Sequence, residues 1–259
     1  MGTSGLSRVA AVAANTFRES VRERVLYNLV FFAVVMTLSG LVLKQLSIRQ
    51  DEKIVKDVGL AAMDFFGTLI AVFIGVGLVS KEIERRSLYP LLAKPLTRDE
   101  FFVGKFLGLG FTLLVNTVVM TAVLAVTLIA TTGRFDFGLM KAIVPLFLGL
   151  LLTVAIALLF STITSAALAA VGTLGVAVAG RYSDVLLNMK DVVPAAPGRL
   201  IQVVYYVLPN FRNFDIKNRI VYGDPVAWAA VGDIASYAAL YIAAVMIGGL
   251  LVFRARDFV

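Results

Sequence analysis

The sequence predicts an all-α, polytopic membrane protein with six transmembrane helices. Three observations carry that prediction. Of the 259 residues, 59% are apolar and the mean hydropathy is +0.90, a level at which a water-soluble domain would expose large sticky patches. The apolar residues gather into six runs, at about 25–43, 58–79, 106–131, 141–160, 166–186 and 228–253, each long enough to cross the hydrocarbon as a helix. Charged residues, 16% of the chain, collect in the segments between. No repeat, low-complexity region or linker divides residues 1–259, so the spans are expected to form a single domain.

Residues 1–24 contain no apolar run and do not read as a cleaved signal peptide. Leu6, Val9, Ala13, Phe17 and Val21 recur at helical spacing, while Arg8, Arg18, Glu19 and Arg22 fall largely elsewhere around the helix. That pattern predicts an amphipathic helix lying in the membrane interface. The first span, Val25–Leu43, has nineteen residues, which reach roughly 28 Å as a helix. Lys44–Asp57 is polar and mixed in charge, and Val58–Val79 is the second span. Within it Gly67, Ala71 and Gly75 repeat every four residues, a groove that admits close approach of another helix, including one from a second copy.

The third span is Phe106–Thr131, followed by a short turn with Gly133 and Gly138. Lys141–Phe160 is the fourth, and Ser161-Thr162-Ile163-Thr164-Ser165 reads as an uncharged hinge before the fifth, Ala166–Leu186, rich in Ala and Gly. Asn188–Pro225 is too polar to span; its apolar stretch Leu200–Leu208 has the length of a re-entrant or interfacial helix, broken by Pro209-Asn210-Phe211. Trp228–Phe253 is the sixth span, and Arg254-Ala255-Arg256-Asp257 follows it.

Composition excludes most enzyme chemistry. With no Cys and no His, serine–histidine, cysteine–histidine and histidine–zinc catalysis are all without their groups, and no metal site is expected. Seven scattered Met residues read as core filling and form no metal relay. No phosphate-binding loop is present: Lys105 follows Gly104, but Asp99 stands where the first Gly belongs and Phe106 where Ser or Thr belongs. The chain is therefore expected to bind no ATP and no other cofactor. Gly232-Asp233 is a poor match to an intramembrane aspartyl protease, with Ala230 in the place of the first Gly and no partner Tyr-Asp. The net charge of +7 is ascribed to the few aqueous segments, not to nucleic-acid binding.

Three acidic residues lie inside apolar runs: Asp64, Asp184 and Asp233. An ionised Asp at mid-membrane costs about 2.5–3.5 kcal/mol, so each needs a reason to be there. Arg181 lies one turn before Asp184 and can pair with it. Asp233 lies one turn into the sixth span and can reach the interface, whereas Asp64 is deeper, placed either to line an aqueous path or to cap a neighbouring helix. Thr112, Asn116 and Thr117 read as helix-to-helix glue.

The chain is organised around Ser80–Lys105, which lies between two apolar runs and carries ten charged residues. Pro95 should end a helix there, and Thr97-Arg98-Asp99-Glu100 has the form of a capping box. Two short helices with a bend, lying at the membrane surface and leading into the third span, are expected. The segment holds an acidic pair (Glu82, Glu84), Ser87-Leu88, Leu91-Leu92, Pro95-Leu96-Thr97-Arg98 and Gly104-Lys105. In this it resembles the first cytoplasmic loop of ABC-2-type transporter permeases. Arg86 replaces the usual Gly, and Pro90 is not part of the usual pattern. Thr16-Phe17-Arg18-Glu19 with Arg22-Glu23-Arg24 is similar to the elbow helix of that family, and the Phe253-Arg254 tail to its usual ending.

The resemblance implies the membrane subunit of an ATP-driven exporter in the cell membrane, two permease copies working with two ATPase subunits that hold ATP and Mg. It places Glu82, Glu84, Leu88, Leu91, Leu92, Pro95 and Arg98 on the ATPase-coupling surface and both termini in the cytoplasm. Charge does not decide orientation, because twelve Lys and Arg fall on each side. The family's path is lined by the first, second and fifth spans, which makes Asp64, Arg181 and Asp184 path candidates. Two other readings stay open: an ion-coupled secondary transporter, against which the short chain shows no inverted repeat, and a non-transporting membrane assembly factor.

Overall fold

Thr97 caps the longest helix among the described residues. In a computed structural model, which describes residues 5–22, 31–36, 51–84, 97–134, 136–183, 205 and 207–255, its hydroxyl accepts from the Glu100 N–H while the Glu100 carboxylate accepts from the Thr97 N–H, the expected capping box. The helices are α1 (Gly5–Arg22), α2 (residues 31–36), α3 (Asp51–Glu84), α4 (Arg98–Thr132), α5 (Met140–Ile163), α6 (Ala166–Arg181), α7 (Lys217–Val221) and α8 (Trp228–Ala255). Single 3-10 turns stand at Phe137–Leu139 and Phe211–Phe214. No strand occurs among the described residues.

Four helices among the described residues are long and apolar enough to cross a membrane: Glu52–Gly77, Arg98–Thr132, Phe137–Ile163 and Trp228–Ala255. Ala166–Arg181 is apolar but shorter. The expected first span falls mostly outside the described residues, with only 31–36 seen as helix. So do the end of the fifth span, most of Leu200–Leu208, and Pro95 with the bend expected before it.

Helix ends overrun the apolar runs. α3 starts at Asp51, seven residues before the run, because Lys56 pairs with Glu52 one turn earlier and with Asp136 at 2.7 Å, so the charged turn is held as helix. α4 starts at its cap, so the second short helix expected there is the beginning of the span itself. α3 and α4 have 34 and 35 residues, about 50 Å each, well beyond the ~30 Å of hydrocarbon. The hinge after the fourth span shrinks to Thr164–Ser165. The Ser161 and Thr162 hydroxyls turn back onto the Leu158 and Leu159 carbonyls and let α5 run on to Ile163. Thr112 and Asn116 likewise bond the carbonyls of their own helix, Gly108 and Thr112, in place of the expected bonds to a neighbour.

α5 is the centre of the bundle. Residues 152–158 are buried on every side, as expected of a helix apolar all round, and α3, α4, α6 and α8 pack around it. The groove of Gly67, Ala71 and Gly75 is filled from within the chain. A Cβ on Gly67 would meet Leu150 at 2.7 Å, and one on Gly75 would meet Ala157 at 2.7 Å. The close-approach reading is upheld, but α5 and not a second copy occupies the α3 groove.

The N-terminal helix is amphipathic, with Val9, Ala13 and Phe17 of the expected stripe half-buried. Leu6 is 83% exposed, while Thr16 and Ser20 are fully buried. α1 runs lengthwise beside α4 and in the same direction: Arg8 meets Glu100, Val12 meets Gly104, Thr16 meets Gly108 and Phe17 meets Phe111. Gly104 and Gly108 have no side chain to hold α1 away, so the helix turns its small residues inward. α2 continues beside α4, with Phe32 and Met36 in a core shared with Leu60, Met63, Met120 and Leu124.

Candidate functional site

Two places gather polar side chains that the bundle positions. The first is the opening of α4, at the Ser80 end of the bundle. Arg98 donates to the Arg254 carbonyl at 2.9 Å, at the C-terminus of α8. Asp99 accepts two bonds from the Arg254 guanidinium, one of them at 2.7 Å. Glu100, besides capping its own helix, accepts from Arg8 of α1 at 2.7 Å. Lys105, 2% exposed, lies 3.8 Å from Glu19 of α1 and over the Phe101 ring. Phe101 and Phe102 in turn pack against Phe253. Two turns of α4 therefore bind the first and last described helices together.

The second place is a small cavity of about 30 Å³, lined by Leu60, Asp64, Leu146, Gly149, Arg181, Phe211, Phe214, Asp215 and Lys217, among others. Arg181, at the end of α6, donates to both Asp64 carboxylate oxygens on α3, at 2.6 and 3.3 Å, and to the Thr68 hydroxyl at 2.8 Å. Its guanidinium faces the Phe211 ring at 5.7 Å. The pair is 26% and 32% exposed, and its mutual compensation offsets part of the cost of placing charge in an apolar run. The far wall is fixed by the segment before α7: Asn210 takes a hydrogen bond from Ser183 through its Oδ1 and donates its own N–H to the Tyr237 hydroxyl. Chemically the arrangement offers compensated charges of both signs in one cleft.

Among the sequence candidates, Asp64 and Arg181 come together. The expected Arg181 partner, Asp184, lies outside the described residues, and Arg181 is bound to Asp64. Asp233 is exposed near the start of α8. Of the coupling residues, Arg98 is in place at the start of α4, Glu82 and Glu84 belong to the last turn of α3 with their side chains outside the description, and Leu88, Leu91, Leu92 and Pro95 lie outside the described residues. No group of three or more His, Cys, Asp or Glu able to hold a metal ion occurs among the described residues. Sequence reasoning did not single out Arg8, Asp99 or Arg254 as partners. The acidic first turn of α4 was their one local signal, since negative charge favours a helix N-terminus.

At the opposite end of the bundle, Lys56 joins α3 to the turn before α5 through Asp136, whose carboxylate also accepts from the Gly138 N–H. The Lys56 ammonium, followed by that backbone bond, holds the Asp136 carboxyl below the usual carboxylate range.

The family model described as ABC-2 family transporter protein matches residues 10–186. No curated protein matches the chain.

Proposed function

The chain belongs to the ABC-2 transporter family, and from that premise we propose that it is the membrane subunit of an ATP-driven exporter, coupled to a separate ATPase subunit through the 80–105 loop. It is a multi-pass membrane protein and a transport component, not itself a catalyst. Two permease copies with two ATPase subunits are proposed, ATP and Mg being held by the ATPases, in the cell membrane with both termini cytoplasmic. The loop carries Glu82, Glu84, Leu88, Leu91, Leu92 and Pro95 towards the partner, and Asp64, Arg181 and Asp184 belong to the translocation path.

One observation carries the coupling reading. The loop is flanked by α3 and α4, both continuous helices that pass deep into the bundle, and the first turns of α4 are bound to α1 and α8 through Glu100, Asp99 and Arg98. A push on the loop is thereby delivered to four helices at once. The test is gentle detergent extraction followed by identification of what co-purifies. An ABC ATPase subunit in stoichiometric amount supports the exporter; a chain that purifies alone, with ion-driven uptake in vesicles, would turn the assignment to a secondary transporter.

A further inference from the structure

The cleft at Asp64 contains two ion pairs of different kinds. Asp64 and Arg181, 2.6 Å apart, join the long helices α3 and α6. Asp215 and Lys217, 3.6 Å apart, are near neighbours in the chain and join nothing distant. All four line the same small cavity. An exchange of partners, Asp64 to Lys217 and Arg181 to Asp215, keeps every charge compensated. Breaking a partly buried pair is costly chiefly because it strands one member, and exchange removes that cost.

Among the described residues, the side-chain hydrogen bonds that tie α3 to another helix at this level are those of Asp64 and Thr68. The contact of α3 with α5 is the smooth face of Gly67, Ala71 and Gly75 against Leu150, Val154 and Ala157, an apolar contact with no fixed orientation. The Asp64–Arg181–Thr68 bonds are the directional tie between α3 and α6. The same α3 runs without a break to Glu84, within the proposed 80–105 coupling loop. We infer that the Asp64–Arg181 bridge is a gate between α3 and α6, opened by exchange of ion-pair partners with Asp215 and Lys217. The inference rests on the transporter reading and names the moving contact within it.

The chain has no Cys, so a single introduced thiol is read without background. Leu60→Cys places it in the cleft at a fully buried position. The chain alone, in lipid nanodiscs, is treated with a small charged methanethiosulfonate reagent. Leu60→Cys is expected to react slowly, and Asp64→Asn in the same chain to speed the reaction about tenfold by shifting the population of the open form. Adding Asp215→Asn, which removes the exchange acceptor, should return the rate towards the slow value, as should the swap Asp64→Arg with Arg181→Asp. Equal rates with and without Asp64→Asn overturn the gate. An acceleration undiminished by Asp215→Asn, or unrestored by the swap, overturns it equally, since either reports general loosening. Because no ATPase is present, these results stand apart from co-purification, whose failure would sink the exporter reading alone.

Discussion

The two polar regions hold their helices in opposite ways. At the Ser80 end, Arg98, Asp99, Glu100 and Lys105 each reach a partner on α1 or α8, and Gly104 and Gly108 bring α1 into backbone contact with α4. The ties are many and reinforced by packing, so the elements behave as one body. In the Asp64 cleft a single guanidinium carries the charged tie between α3 and α6, whose remaining contact is the apolar packing of Val72 and Val76 around Ala169, with a second ion pair in the same cavity. A transmitting region gains from redundancy; a region that must change state gains from having one bond to exchange.

The largest effect should come from attacking the packed region. A Cβ on Gly108 would lie 2.6 Å from both the Ala13 carbonyl and the Thr16 Cβ, and a backbone atom cannot step aside. Gly108→Leu is expected to push α1 from α4 at a cost of about 3 kcal/mol, read as a lower unfolding temperature in detergent and early proteolysis of residues 5–22. An unchanged temperature would show that the α1–α4 contact is not close.

Breaking the single tie should cost less stability and more function. Asp64→Asn leaves Arg181 only neutral acceptors, among them the Thr68 hydroxyl and the Ala177 carbonyl; at 26% and 32% exposure the loss is about 1–2 kcal/mol. Adding Arg181→Gln should cost little more, because the two changes remove one interaction. Additive losses in that double-mutant cycle would mean that the pair is not an energetic unit.

Much of this arrangement was legible in the sequence where causes are local. Thr97 and Glu100 announce a helix start three residues apart, and the cap is there. The apolar runs located the membrane-crossing helices but not their ends. Hydropathy measures what lipid tolerates, whereas Asp51–Asp57 and Arg98–Lys105 stay helical through caps and ion pairs outside that criterion. Distant pairing was not legible: Arg181 was matched to Asp184 because three residues is a visible spacing, while Asp64 is 117 residues away. The buried face of α1 was legible only in part, for a related reason. The periodic stripe includes Leu6, but what α1 buries is decided by Gly104 and Gly108 on another helix.

Smaller effects sharpen the contrast. Arg254→Ala removes an exposed pair with Asp99, 54% and 39% accessible, and solvent screening should make the stability change hard to detect. ATP hydrolysis by the assembled complex should nonetheless become slightly less responsive to the permease, because one of the ties between α8 and α4 is lost. Equal responsiveness would remove Arg254 from the transmitting body. The smallest effect is acid sensitivity at Asp136. Its carboxyl is depressed by Lys56, so its contribution is present above the unfolded value and is lost as pH falls through the folded one. Asp136→Asn should lower stability slightly at neutral pH, flatten the acid limb of a stability–pH curve and converge with the parent chain at the lowest pH; an unaltered acid limb would show that the pair is not felt.

The central claim is that force enters through the 80–105 loop. It is tested most directly by comparing Leu91→Asp with Leu208→Asp for retention of the co-purifying ATPase subunit. Leu91 lies in the loop and Leu208 in the segment before Phe211, on the side proposed to be opposite. An apolar anchor of this kind is worth about 2 kcal/mol or more at an interface, so Leu91→Asp should insert normally and lose most of the ATPase, and Leu208→Asp should keep it. Release by Leu208→Asp with full retention by Leu91→Asp would contradict the account and turn the chain over in the membrane.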